Sequence, residues 1–487
     1  YEAAYWNQVQ VQVDERDYRL AYEIYKQTGN ADFNLPFLVY TNPEFFTGPD
    51  TNPLFDENDE LVFMAKDAGG PAPDTIPWPI GAIGGAVEVQ LIDPLTGDSS
   101  YVYLFPHNGS FSAGAGADYV SYDYQLLAGN YLDNYILNMA NPEDSWVETD
   151  YYAQHFSDDW IKDILQIYAG SATGVDILDH AKILLGPGLC NRSIQTYSES
   201  TGVHISSKDG PVRGIRSIFG ANSGPLIERN HFFYQQMEVV DFWIRLHFIR
   251  GFLRFYDLSA EAQNMTFYSK TVPEGFTIDG LPDSLDVEQV SDWVLYTGEQ
   301  GSLLKFDSIY TTFPIDTFWT YYEDQWQPAE EQCTGDGYAI GASGYWLLQI
   351  IPDTDPRSGS EDLHYYKETS YFLNPDLTPE ITAGIRDQHR HPLQVHFRDN
   401  LNALHSKPSG ITRIQVYPNP SSGSIYLAGM PANTAFTLQV FGLDGRQHWT
   451  CSSCADNIQL PDSLRPGLYL LRIEGENGVE VLKLVLR

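Results

Sequence analysis

Apolar residues recur at every second position through much of this chain, the period expected of strands with one buried face. Val9, Val11 and Val13 alternate with Gln10 and Gln12, and Phe37–Tyr40 is a short apolar run. Val87, Val89 and Leu91 alternate with Glu88 and Gln90 within Ala86–Ile92. The turn-rich stretch Asp93-Pro94-Leu95-Thr96-Gly97-Asp98 then leads into Ser100–Phe105, so a hairpin is predicted there. The densest strand pattern runs from Gly210 to Asp257. Val240, Phe242, Ile244, Leu246 and Phe248 share one face of a predicted strand, and Asp241, Trp243, Arg245 and His247 share the other. Two stretches are ambiguous: Arg16–Lys26, and Trp160–Tyr168, which fits a helix or a buried strand equally well. Asn108–Gly116 and the Gly-rich run from Cys333 to Gly344 predict loops.

The same alternation appears at smaller scale near the C-terminus. Ser424–Leu427, Ala435–Phe441 and Leu468–Glu474 are apolar at every second position, with turns at Pro431-Ala432-Asn433, Leu443-Asp444-Gly445 and Arg465-Pro466-Gly467. Leu468–Glu474 and Val479–Arg487 flank Gly475-Glu476-Asn477-Gly478, and Asn-Gly is the strongest short hairpin signal. The cadence is that of a small immunoglobulin-like sandwich. The chain therefore reads as all-β: a large β-sandwich body over 1–405, a Ser/Pro/Gly linker at 406–410, and a small sandwich over 411–487. The body admits a further division into about 1–150 and 151–405.

The motifs of the small domain carry a family resemblance. Tyr417-Pro418-Asn419-Pro420 with Gly423, Leu443-Asp444-Gly445-Arg446, Gly467 with Tyr469, and the closing run from Lys483 resemble the type A C-terminal sorting domain. The resemblance implies export through the type IX secretion system of Bacteroidota, that machinery as a partner, and a secreted or outer-surface location. The body resembles known families only faintly. Gly210-Pro211-Val212-Arg213, leading into long strands, is similar to supersandwich domains of mutarotase-like proteins and some polysaccharide lyases.

Charge sharpens the boundary. Residues 411–487 hold six basic and six acidic residues, so the body carries the whole net charge of −37. A surface that acidic repels nucleic acid and anionic lipid, which argues against both as partners. It suits a salty habitat, bound cations or simple solubility. No apolar run is long enough to span a membrane as a helix. Tyr1 reads as a mature end left by signal-peptide removal. In an oxidising compartment the expected disulfides are Cys190–Cys333 in the body and Cys451–Cys454 in the small domain.

Candidate chemistry is sparse. Asp56, Asn58, Asp59 and Glu60 offer hard oxygen ligands of the kind calcium takes, without the order of an EF-hand. His389, His391 and His396 lack the spacing of a helical zinc pair, and Pro392 interrupts them. Trp243, Arg245 and His247, with Arg229, His231 and Tyr234 upstream, form the expected working face: an aromatic plane, bidentate donors and titratable imidazoles. No nucleophile elbow, phosphate loop, dinucleotide fingerprint or haem motif is present. The chain holds 32 Tyr and 10 Trp but few Lys, a composition that suits extended interfaces. The sequence therefore favours a noncatalytic surface module that binds glycan or copies of itself. The alternative is an extracellular polysaccharide-degrading enzyme, a lyase or glycoside hydrolase.

Overall fold

Period-two patterning becomes a body built around three large sheets, with three smaller ones beside them, because each sheet has an apolar face that must be covered. The structure is a computed structural model. It describes residues 6–20, 35–45, 47–73, 76–83, 85–109, 111–112, 114–127, 143–157, 162–185, 202–221, 224–245, 248–326, 339–398, 415–417, 423–428, 436–442, 447–452, 457–461, 463–465, 467–475 and 478–486. The chain divides into two compact units, Tyr1–Asn402 and Ala403–Arg487.

In the first unit, a nine-stranded antiparallel sheet runs in the spatial order Gly202–Lys208, Gly214–Ala221, Gly224–Phe233, Met237–Trp243, His364–Leu373, Gly301–Thr311, Trp293–Gly298, Thr266–Ser269, Val272–Thr277. Two four-stranded sheets cover its inner face. One is Lys162–Ile167, Tyr152–Phe156, Ser145–Glu148, Ser121–Asp123; the other is Leu178–Leu185, Phe252–Leu258, Ala339–Leu347, Phe318–Gln325. Their shared core joins Tyr152, Phe156 and Ile167, Tyr256 and Leu258, and Phe233, Tyr296 and Phe372, all buried. The outer face is covered as well. The helix Ala383–Arg390 lies over it, with His389 stacked on Phe306 at 3.8 Å between ring centroids and Arg386 over the Trp293 ring at 4.2 Å.

The predicted hairpin forms as Val87–Ile92 paired with Ser99–Leu104, with Val89 and Leu91 buried. Trp160–Tyr168 resolves to a strand, Lys162–Ile167. Four expectations need correction. The first concerns Val9–Val13, where alternation is inverted: Gln12 and Asp14 are buried and Val13 is 39% exposed. Gln12 Oε1 accepts from the amides of Val212 and Arg213, both at 3.0 Å, and Asp14 takes the Arg213 and Lys208 cations. Buried polar partners outweigh the valines there. Secondly, Gly341 to Gly344 lie within the strand Ala339–Leu347, not in a loop. A Cβ on Gly344 would sit 1.9 Å from the Arg254 carbonyl oxygen, so the glycine allows a neighbouring strand to approach. Thirdly, the strand through Trp243 ends there, and Phe248 is 62% exposed instead of continuing the apolar face. Finally, the body does not divide near residue 150. Ser145–Glu148 and Tyr152–Phe156 are neighbours in one sheet, and Gln394–Arg398 returns to pair with Val87–Ile92.

The second unit is a two-sheet sandwich. Gln415–Tyr417, Ser424–Ala428 and Asn457–Gln459 face Gln447–Ser452, Thr437–Gly442, Gly467–Gly475 and Gly478–Leu486 across a core that includes Ile425, Leu427, Val440, Leu471 and Leu484. Gly423 has φ +117, a conformation that favours glycine. The Tyr469 hydroxyl donates to the Arg465 carbonyl at 2.9 Å. Pro418, Asn419 and Pro420 lie outside the described residues.

Candidate functional site

The expected working face is split between two sides of the large sheet. Residues directly opposite in an antiparallel pair point the same way. Arg229 stands opposite Phe242 and His231 opposite Val240, so both turn inward, away from Trp243. Trp243 packs on Tyr365 at 4.5 Å between ring centroids, and the Tyr365 hydroxyl donates to Asp241 at 2.7 Å. Arg245 pairs with Glu228 at 3.1 Å and covers the Phe37 ring. Tyr234 accepts from Arg213 at 3.1 Å, beside the Arg213–Asp14 pair. His247 lies outside the described residues. The outer members thus serve packing and ion pairing.

The acidic loop is internally bonded. Asp56 Oδ2 accepts from Asn52, Asp59 takes the amides of Arg16 and Asp56, and Glu60 binds Arg16, Arg213 and the Tyr40 hydroxyl. The Asn58 carbonyl accepts from Arg16. Among the described residues no group of three or more His, Cys, Asp or Glu could hold a metal ion. Cys190, Cys333 and Cys454 lie outside the described residues. Cys451 is not free, and its pairing with Cys454 stays a proposal.

What the structure brings together is elsewhere. On the inner face of the large sheet, Arg216, His231, Val240, Glu368 and Asp307 stand side by side on five neighbouring strands. Glu238 and Lys305 occupy the adjoining row, both opposite Ser370. The facing sheets contribute Lys162, Arg254 and Tyr256. A continuous polar chain results. The Tyr366 hydroxyl donates to Asp307 and lies 3.3 Å from Glu368; Tyr256 donates to Glu368; Lys162 reaches Tyr256 at 3.3 Å and pairs with Glu238. His231 Nδ1 meets Glu238 at 2.7 Å. Arg254 and Lys305 flank Glu368 at 3.5 and 3.6 Å.

Burial and pairing set the charges of this chain. Burial alone would raise Glu368, but Lys305 and Arg254 hold it down to about 2, so it is ionised. Burial pushes Asp307 up; Lys305 opposes this and the Glu368 charge adds to it. Burial drives His231 down to about 3, leaving a neutral ring whose Nδ1–H donates to Glu238 and whose Nε2 has no partner among the described residues. Tyr366 and Tyr256 are raised well above the usual phenol range by burial and stay protonated.

One end of the chain meets solvent. Asp307 lies in the wall of a cavity of about 880 Å³ that also presents Lys270, Ser291, Asp292, Phe318, Tyr345 and Arg390. Phe318 and Tyr345 stack at 5.3 Å with planes 16° apart. The Tyr345 hydroxyl donates to the Ser291 carbonyl at 3.0 Å. Arg390, at the end of the helix, binds Asp292 at 2.8 Å. Sequence reasoning missed this site. Leu304 and Phe306 alternate with Lys305 and Asp307 there, and local alternation does not show that this sheet is covered on both sides.

The second unit belongs to the class of small sandwich domains that act as C-terminal addresses on secreted proteins. Residues 415–487 match the family described as the secretion system C-terminal sorting domain, and this segment is the sorting domain of the type IX system. It directs secretion and attachment to the cell surface, with the type IX machinery as its partner. No curated protein matches the chain. Among solved structures, that of HI1317 aligns at 6% identity, covering 51% of this chain and 99% of its own, with a TM-score of 0.30. A candidate aldose 1-epimerase of Escherichia coli K12 aligns at 9% identity over 51% of this chain and 98% of its own, with a TM-score of 0.24. Likenesses this weak carry no functional argument. No described helix is long and apolar enough to cross a membrane.

Proposed function

We propose that the secreted body is a glycan-binding module that takes a short saccharide, or the end of a longer one, in the Asp307 cavity. The observation that carries this reading is the cavity itself. Its volume of about 880 Å³ falls in the range of small-ligand sites. Its wall combines an aromatic pair, Phe318 and Tyr345, with donors and acceptors from Ser291, Asp292, Asp307 and Arg390. Sugars call for that combination, because a pyranose presents apolar C–H faces and a rim of hydroxyls. Calorimetry against a panel of neutral and acidic oligosaccharides tests it. At least one should bind, and Phe318→Ala should weaken that binding in a folded protein. Absence of binding across the panel at millimolar concentration, or indifference to Phe318→Ala, refutes it.

A second reading, an extracellular polysaccharide-degrading enzyme, is favoured by one observation. Asp292 and Asp307 meet across adjacent strands, the Asp307 amide donating to the Asp292 carbonyl at 3.4 Å, yet their surroundings differ. Asp292 is half exposed and paired with Arg390, while burial raises Asp307. An exposed and a half-buried carboxyl in one cavity wall are the kind of pair acid–base hydrolysis uses. Release of reducing ends from a bound glycan, abolished by Asp307→Asn, would favour this reading over simple binding.

A further inference from the structure

The cavity has a charge pattern at odds with the rest of the body. The chain has 28 basic residues against 65 acidic ones, so most cations have a carboxylate within reach. Lys270 does not. It is exposed, it lines the cavity, and among the described residues it makes no side-chain ion pair or hydrogen bond. Its backbone is fixed, because the Lys270 amide donates to Ser291 Oγ at 3.0 Å. The other cation at the cavity, Arg390, is held in place through two donors, Nε at 3.2 Å and Nη2 at 2.8 Å, both on one oxygen of Asp292. That pair is roughly neutral. Asp307, on the inner wall, is half-buried and already receives the Tyr366 hydroxyl. Of the two cations lining the cavity, Lys270 is therefore the one without a paired carboxylate among the described residues.

We infer that the cavity selects saccharides carrying an anionic substituent, a carboxylate or a sulfate, and that Lys270, with Arg390 beside it, is the group that recognises it. The inference rests on the glycan-binding reading above and adds the chemical class of the ligand. The acidity of the body does not prevent this. At physiological ionic strength the Debye length is about 8 Å, so the charges lining the cavity outweigh those on distant surfaces. The apolar wall formed by Val290, Ile309 and Ile315 also lowers the local dielectric, which strengthens a contact pair. A hydrogen bond to a charged group is typically worth enough to change affinity about tenfold.

The test is calorimetry on the full chain with three oligosaccharides of matched length: an oligogalacturonate, a sulfated galactan fragment and a neutral galactan fragment. At least one anionic ligand should bind about tenfold more tightly than the neutral one. Lys270→Ala should remove about that tenfold advantage and leave the neutral ligand unaffected, and Lys270→Arg should restore most of it. Lys270 is exposed, so these variants fold. The inference is overturned if the neutral ligand binds as tightly as both anionic ones, or if Lys270→Ala changes neither anionic affinity. Neutral binding without anionic preference would leave the glycan-binding reading standing, whereas no binding by any of the three would bring down both.

Discussion

Lys162→Met probes the most deeply buried part of the polar chain. The Lys162 side chain is 3% exposed and that of Glu238 is fully buried, and the two form an ion pair in the core. Removing the ammonium leaves Glu238 with hydrogen bonds from Gln154 at 2.9 Å and His231 at 2.7 Å, but without a cation. His231 cannot substitute, because burial holds it neutral. Breaking one side of a buried pair typically costs about 3–5 kcal/mol, against a total stability of about 5–15 kcal/mol for a domain. The expected loss for Lys162→Met at pH 7 is in that range. Lys162→Met combined with Glu238→Gln removes both charges, so the double variant should be less destabilised than the single ones sum to, by about 2 kcal/mol. Urea unfolding followed by tryptophan fluorescence measures this, since nine of the ten tryptophans precede residue 403. The pH dependence has a definite sign. In the wild type Glu238 is lowered below its ordinary value, so its contribution is present above about pH 4.3 and lost as pH falls further. In Lys162→Met the unpaired carboxyl takes up a proton at higher pH, so the gap between the two proteins should narrow on acidification. A loss under about 1 kcal/mol at pH 7, or strict additivity in the double variant, refutes the account.

Three further outcomes follow from single contacts. His364 is buried with neither ring nitrogen bonded among the described residues, and burial lowers it to about 4. Its contribution to stability is thus full above about pH 6.5 and lost towards pH 4, and His364→Phe should remove roughly 3 kcal/mol of that pH dependence; superimposable pH profiles would refute it. Trp243→Ala should cost roughly 2–3 kcal/mol through loss of the Tyr365 and Arg245 contacts, with saccharide affinity unchanged. Lost affinity in a folded Trp243→Ala protein would return the working surface to the outer face. Gly344→Ala should cost more than about 3 kcal/mol, because its Cβ would meet the Arg254 carbonyl at 1.9 Å; a thermal midpoint within a degree of the wild type would refute that.

Local signals identified much of the architecture. The Val87–Ile92 hairpin was readable because the turn and both strands lie within twenty residues and every second side chain faces the core. The C-terminal sandwich was readable for the same reason, and its motifs were enough to identify the address it carries. The candidate site was not readable. Asp307 and Glu368 are far apart in sequence and meet only because His364–Leu373 inserts between Met237–Trp243 and Gly301–Thr311. Proximity in the chain groups Arg229 and His231 with Trp243, but pairing register turns them to the opposite side of the sheet. Gln12 and Asp14 are buried in place of Val11 and Val13 because Arg213, two hundred residues on, supplies their partners. Alternation along a strand is set by local backbone geometry, so a sequence carries it directly. Which of the two faces is buried, and which polar groups find partners there, depends on elements distant in the chain, and only the tertiary structure decided that.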